Sequence, residues 1–106
     1  MAQPETALVG RIKTAVKRKF PDGRAMIVKI AGGPYQTAGL PDLVVVIDGR
    51  IYGFEVKKQR LGESAEHAYG RATILQQARL ADLRRAGAVT AVVLSVDEVL
   101  ALLPDS

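Results

Sequence analysis

Along the first twenty residues, apolar side chains return at every fourth position: Leu8, Ile12, Val16 and Phe20, with Val9 beside them. That spacing lays one stripe along a helix. PETALVGRIKTAVKRKF is therefore predicted helical, with Pro4 in its first turn and the turn-forming PDG at 21–23 ending it. AMIVKIA (25–31) reads as a strand, and GGPYQTAG (32–39) as a Gly- and Pro-rich loop able to lie against a ligand. DLVVVID and RIYGFEVK flank an Asp-Gly pair as the two arms of a hairpin. From Gln59 to Gly70 no apolar period is visible, and the segment is expected to be a mobile loop. TILQQARLADLRRAG returns to a helix, with Thr73 as N-cap and Gly87 as C-cap. The continuous apolar run AVTAVVLS predicts a buried strand. Ser95 and Glu98 have the spacing of a capping box ahead of a short last helix, VDEVLALL, which Pro104 closes.

The predicted order is α-β-β-β-α-β-α. A helix between two strands implies a right-handed crossover, hence a mixed sheet flanked by helices and an α/β fold. Without repeats or a linker, all 106 residues are expected to form a single domain.

The hairpin carries charges that a covered strand should exclude. With Asp48-Gly49 as a two-residue turn, residue 47 pairs with 50, and counting back sets Asp42 directly opposite Glu55. Their Cβ atoms should lie about 5 Å apart. Lys57, two residues beyond Glu55, points to the same face. Facing carboxylates repel each other unless a cation lies between them, and hard oxygen ligands at that spacing suit Mg²⁺ or Mn²⁺. A lysine beside them can hold a water or offset the charge of an anionic transition state. The alternative is a solvent-facing hairpin, but LVVV is apolar on both faces, as in a covered strand. Glu5 projects near the middle of the first helix's apolar stripe. A first-turn acid complements the helix dipole; beside a carboxylate pair in need of a third ligand, it is counted with the site.

Composition narrows the class. With 48% apolar and 25% charged residues the chain has the make-up of a soluble globular protein, and without cysteine it can hold no disulfide, thiol nucleophile or Cys-ligated zinc. No apolar run is long enough to span a bilayer. MAQPETALVGRIK has acid and base where a secretory signal needs an apolar core, so an intracellular, cytoplasmic protein is expected. The net charge of +4 belongs wholly to the first 24 residues, where Arg11, Lys13, Lys17, Arg18, Lys19 and Arg24 face only Glu5 and Asp22. Such a cluster suits a polyanion, with Lys13, Lys17 and Arg18 as the phosphate-tracking strip; a solvated helix face is the plainer account. His67, the only histidine, stands in a polar stretch and reads as a surface residue. Gly32, Gly33 and Gly39 form no nucleotide-binding loop, because no Lys-Ser/Thr or helix start follows them.

Pro41-Asp42 followed across the hairpin by Glu55-Val56-Lys57 resembles the PD-(D/E)XK nuclease motif. The wider pattern is similar to the VRR-NUC branch, in particular its small stand-alone members from phages and bacteria. It includes ETALVGRIK with its acid, TAGLPDLVVV, GFEVKK, and TILQQARLADLRRAG with Gln76. The resemblance implies a restriction-endonuclease-like α-β-β-β-α-β core and metal-dependent hydrolysis of DNA phosphodiesters. It implies that Asp42 and Glu55 bind a divalent metal, Mg²⁺ or Mn²⁺, with Glu5 and the Val56 carbonyl as further ligands. Lys57 would position the attacking water, and Gln76 would hold a water or the phosphate. A homodimer acting on branched DNA, such as a Holliday junction, is expected by the same resemblance. The chain departs from it in GESAEHAYGR, between Lys58 and Thr73, and in lacking a basic residue before the motif glycine. Phosphate contacts there would fall to Gln36, Thr37 and backbone amides, or to Lys58 and Arg60, with Tyr35 able to stack on a base or sugar. Two other readings fit the same residues: a non-catalytic DNA-binding module of this fold, and a nicking or restriction-like nuclease on duplex DNA.

Overall fold

The computed structural model describes residues 4–30 and 37–105. Its elements are α1 (Pro4–Lys19), β1 (Ala25–Lys29), β2 (Leu43–Ile47), β3 (Arg50–Val56), α2 (Ala65–Tyr69), α3 (Ile74–Arg85), β4 (Val89–Val93) and α4 (Val96–Leu102). The four strands form one sheet in the order β1-β2-β3-β4. The first three are antiparallel, and β4 runs parallel to β3 after the helical crossover. The architecture is the helix-flanked mixed sheet that the order of elements predicts.

The β2–β3 turn sets the register. Asp48 and Gly49 both take positive φ, 51° and 81°, the backbone sign of the tight hairpin turn whose twist matches the strands it joins. Ile47 therefore pairs with Arg50, and the ladder runs back to Leu43 opposite Phe54. Side chains alternate along it. Leu43, Val45 and Ile47 face the same side as Tyr52, Phe54 and Val56, and all six are buried against the α1 stripe of Leu8, Ile12, Val16 and Phe20, with Val99 and Leu103 closing the cluster.

The opposite face takes α3, and small groups let it approach. A Cβ at Gly53 would meet Pro41 Cγ at 3.3 Å and Leu83 Cδ1 and Thr90 Cγ2 at 3.5 Å. The Thr90 hydroxyl donates to the Leu80 carbonyl at 3.0 Å, giving a buried polar group its partner. Gly39, at φ +82°, lies so near α3 that a Cβ would stand 2.7 Å from Leu75 Cγ and 3.0 Å from the Leu75 carbonyl oxygen.

Four expectations change. The segment from Gln59 to Gly70 is not a loop throughout: Ala65–Tyr69 is helical, capped by the Ser64 hydroxyl, which accepts from the His67 N–H at 3.1 Å. AVTAVVLS predicted a strand buried on both faces, but β4 is an edge strand in which Thr90 and Val93 are buried while Val89, Ala91 and Val92 are half-exposed. At Ser95 the hydroxyl accepts from the Glu98 N–H at 3.2 Å, yet the returning bond of Glu98 Oε2 goes to the Leu94 N–H, at 2.8 Å. β1 ends at Lys29, two residues before the end of the predicted strand. No helix among the described residues is long and apolar enough to cross a membrane.

Candidate active site

Asp42 stands one residue before β2 and Glu55 near the end of β3, so the hairpin register sets them opposite each other, as the count from Asp48-Gly49 predicts. Asp42 Oδ2 accepts the Val56 N–H at 2.7 Å, which fixes the carboxylate beside the end of β3. The Asp42 carbonyl accepts the Ile30 N–H at 2.8 Å, which extends the β1 ladder to the same point.

Glu55 is only 2% exposed. Lys57 Nζ lies 3.6 Å from its Oε2, while Oε1 is buried and has no hydrogen-bond partner among the described residues. Burial, and next the facing Asp42 carboxylate, push the Glu55 carboxyl up to about 8, against the partial compensation of the Lys57 ammonium. A buried carboxylate oxygen without a donor is costly. A cation shared with Asp42 would satisfy it, so the donor set fits a hard divalent metal.

These groups open into a cleft of about 230 Å³ lined by Glu5, Thr6, Val9, Lys29, Asp42, Glu55, Val56, Lys57 and Gln76. Every residue expected in the catalytic or metal-binding set lines this one cleft. Glu5 reaches it from α1, but its Oε1 lies 3.6 Å from Arg71 Nη1, and among the described residues no three His, Cys, Asp or Glu side chains are grouped as a ready metal cluster. Gln76 does structural work as well. Its Oε1 accepts the Thr73 N–H at 2.9 Å and its own N–H donates to Thr73 Oγ1 at 3.0 Å, a reciprocal cap on α3. The side-chain NH₂ makes no hydrogen bond among the described residues and is left for the cleft.

The described residues expected to bind DNA are not among those that line the cleft. Lys17 and Arg18 are exposed and Lys13 half-buried on α1, while Lys58 and Arg60 are exposed on the segment leaving β3. Tyr35 and Gln36 lie outside the described residues. Two cleft neighbours were missed. Lys29 ends β1, and its place beside Asp42 depends on a pairing across the long β1–β2 connection. Arg71 reaches Glu5, Glu63 and the Lys58 carbonyl at once. A GESAEHAYGR stretch without apolar period carries no sign of that convergence, apart from an acid and an arginine spaced to bracket a short helix. A larger hollow of about 350 Å³ lies by the Asp48-Gly49 turn, but its one carboxylate, Asp48, is already paired with Arg24 at 2.6 Å, so the chemistry favours the smaller cleft.

The fold is a helix-flanked mixed sheet, with carboxylates facing each other at the end of a hairpin and a lysine beside them. Two solved structures share the fold. One, described as a VRR_NUC domain protein, superposes with a TM-score of 0.68 at 22% identity, covering 96% of this chain and 86% of that one. The other, described as a VRR_NUC domain, gives 0.56 at 26% identity, covering 90% of this chain and 96% of that one. No protein-family profile matches the chain, and no curated protein does. The chain has the fold of a VRR-NUC domain, as the motif residues implied.

Proposed function

We propose that this chain is a divalent-metal-dependent endonuclease that hydrolyses DNA phosphodiester bonds, acting as a homodimer on branched DNA such as a four-way junction. The observation that carries the catalytic reading is Glu55: buried, set opposite Asp42, with Oε1 unpartnered among the described residues and an ammonium 3.6 Å from its other oxygen. A purely structural hairpin gains nothing from such an arrangement.

Asp42 and Glu55 would hold Mg²⁺ or Mn²⁺, with Glu5 and the Val56 carbonyl as further ligands. Bound there, the ion supplies Lewis-acid stabilisation of the charge that develops at the leaving 3′-oxygen. The chain's own residues do the rest. The Val56 N–H fixes the Asp42 carboxylate in one orientation, so none of its ordering has to be supplied during the reaction. Lys57 orients the attacking water and offsets the charge on the phosphate as the new P–O bond forms and the bond to the 3′-oxygen breaks. The Gln76 NH₂ donates to a non-bridging phosphate oxygen. Lys13, Lys17, Arg18, Lys58 and Arg60 contact flanking phosphates, and Tyr35 and Gln36 contact the substrate. Among the described residues no helix is placed as a recognition helix, which supports selection by DNA shape. A two-fold dimer would bring two such clefts to one junction.

Labelled four-way junction, flap and linear duplex are incubated with Mg²⁺ or Mn²⁺, with Glu55→Ala alongside. The expected result is metal-dependent cutting, strongest on branched DNA, that falls by at least about 100-fold in Glu55→Ala. DNA that is bound but never cut with either metal would make the chain a binding module instead.

A further inference from the structure

Leu61 is fully exposed, at 106% of its reference area, four residues beyond Lys57. A single exposed leucine is ordinary on a protein surface. The turn that presents this one is not ordinary. The Glu63 N–H donates to the Arg60 carbonyl at 3.0 Å, the Arg60 N–H to Glu63 Oε1 at 2.9 Å, and Gln59 Nε2 to the Glu63 carbonyl at 2.7 Å. Gly62, at φ +78°, takes the corner that a side chain would strain.

The Glu63 side chain is only 6% exposed and is gripped by Arg71 through Nε at 2.8 Å and Nη2 at 3.1 Å, with His67 Nδ1 at 2.6 Å. The hydrogen bond from Arg71, followed by the one from the Arg60 backbone, holds its carboxyl down at about 2, so the grip is ionic throughout the neutral range. Arg71 also donates to the Lys58 carbonyl and lies 3.6 Å from Glu5 on the cleft wall. The turn is thus held to Arg71 by a bidentate ion pair, and Arg71 meets the cleft wall through Glu5, so the turn that presents Leu61 to solvent is braced toward the cleft.

Leaving a leucine in water forgoes the free energy of its burial, and a braced mount reduces the ordering entropy that a flexible loop would lose on contact. The exposed cations of Lys58 and Arg60 flank the tip, so the partner that buries Leu61 is anionic at its edge and apolar within, which describes a stack of bases between phosphates.

We propose that the Gln59–Glu63 turn is a preformed prong that inserts Leu61 into the base stack of DNA held at the cleft, opening the step beside the phosphodiester that is cut. This rests on the nuclease reading above. The test uses the full chain, with Ca²⁺ as the sole divalent ion, and branched and linear DNA carrying 2-aminopurine at successive steps. Binding is followed by anisotropy and unstacking by 2-aminopurine fluorescence. Wild type should bind and raise the fluorescence severalfold at one or two adjacent steps. Leu61→Ala, a surface change that leaves the core untouched, should bind within about threefold of wild type yet lose the rise, and Leu61→Met should retain it. A rise unchanged in Leu61→Ala, or binding by wild type with no rise at any step, overturns the prong and leaves the nuclease reading standing. No anisotropy change with any DNA overturns both.

Discussion

Burying Glu55 with Oε1 unpartnered costs the metal-free fold stability, and that cost should be visible against pH. The folded carboxyl gives up its proton at about 8, against 4.5 for the free group. Between those values the folded chain keeps a proton that the unfolded chain has released. Stability is therefore full below about 4.5 and declines as pH rises toward 8. Denaturant unfolding in chelator should show a fall approaching about 1.4 kcal/mol per pH unit across this window. The fall should vanish in Glu55→Gln and be suppressed by saturating Mn²⁺; a flat wild-type profile would refute the burial argument. Gln76 invites a different separation, because one amide both caps α3 and faces the cleft. Glu at the same position can still accept the Thr73 N–H but cannot donate to a phosphate. Gln76→Glu should melt within about 2 °C of wild type and lose cleavage, whereas Gln76→Ala should lose activity and also about 1 kcal/mol of stability. If Gln76→Glu cleaves as wild type does, the amide is a cap alone.

At the scale of elements, Gly39 joins the loop before the motif proline to the first turn of α3. Alanine there would meet both the positive φ and the backbone of Leu75, which cannot swing aside as a side-chain tip can. Gly39→Ala should lower the unfolding free energy by about 2 kcal/mol or more, measured by chemical denaturation; a change below about 0.5 kcal/mol would mean that the loop moves off α3 freely. Elements whose information is local could be read from the chain. The α1 stripe, the Asp48-Gly49 hairpin and the Thr73 cap each lie within a few residues of one another, and the hairpin alone set Asp42 against Glu55. Where the stabilising interaction is distant, the pattern was silent. α2 has five residues and one fully buried side chain, Ala68, and it is held by Glu63–Arg71 across the segment and by Tyr69 donating to Glu98 of α4. Isolated, so short a helix would not form, so no period marks it. β4 misled for the complementary reason: an apolar run does not tell a central strand from an edge strand, and here each face carries one buried residue, Thr90 or Val93, beside half-exposed neighbours.

Over the whole molecule, the cleft and the charge excess are different places on one surface. All of the net +4 comes from the first 24 residues, and five of the six cations there lie along α1, whose first turn supplies Glu5 and Thr6 to the cleft wall. Val9 also lines the cleft, and Lys13 and Lys17 follow it at helical four-residue steps, so that flank of α1 leads away from the site as a track. A track of this kind contributes affinity without regard to sequence, through release of counterions from phosphates, and it has no part in bond breaking. Replacing Lys13 and Lys17 together by Gln should weaken binding of linear and branched DNA by the same factor. It should also flatten the plot of log affinity against log salt by about 2, near one for each phosphate that a lysine no longer neutralises. Turnover at saturating DNA should hold while KM rises. Lys29, inside the cleft, is expected to behave in the opposite way: Lys29→Gln should cut turnover with little effect on the salt slope, since its place is beside Asp42 and Glu55, away from the track. Anisotropy titrations between about 50 and 200 mM salt, paired with single-turnover cleavage, separate the two. A salt slope unchanged in the Lys13/Lys17 variant would move the DNA path off α1 and toward Lys58 and Arg60 on the segment leaving β3.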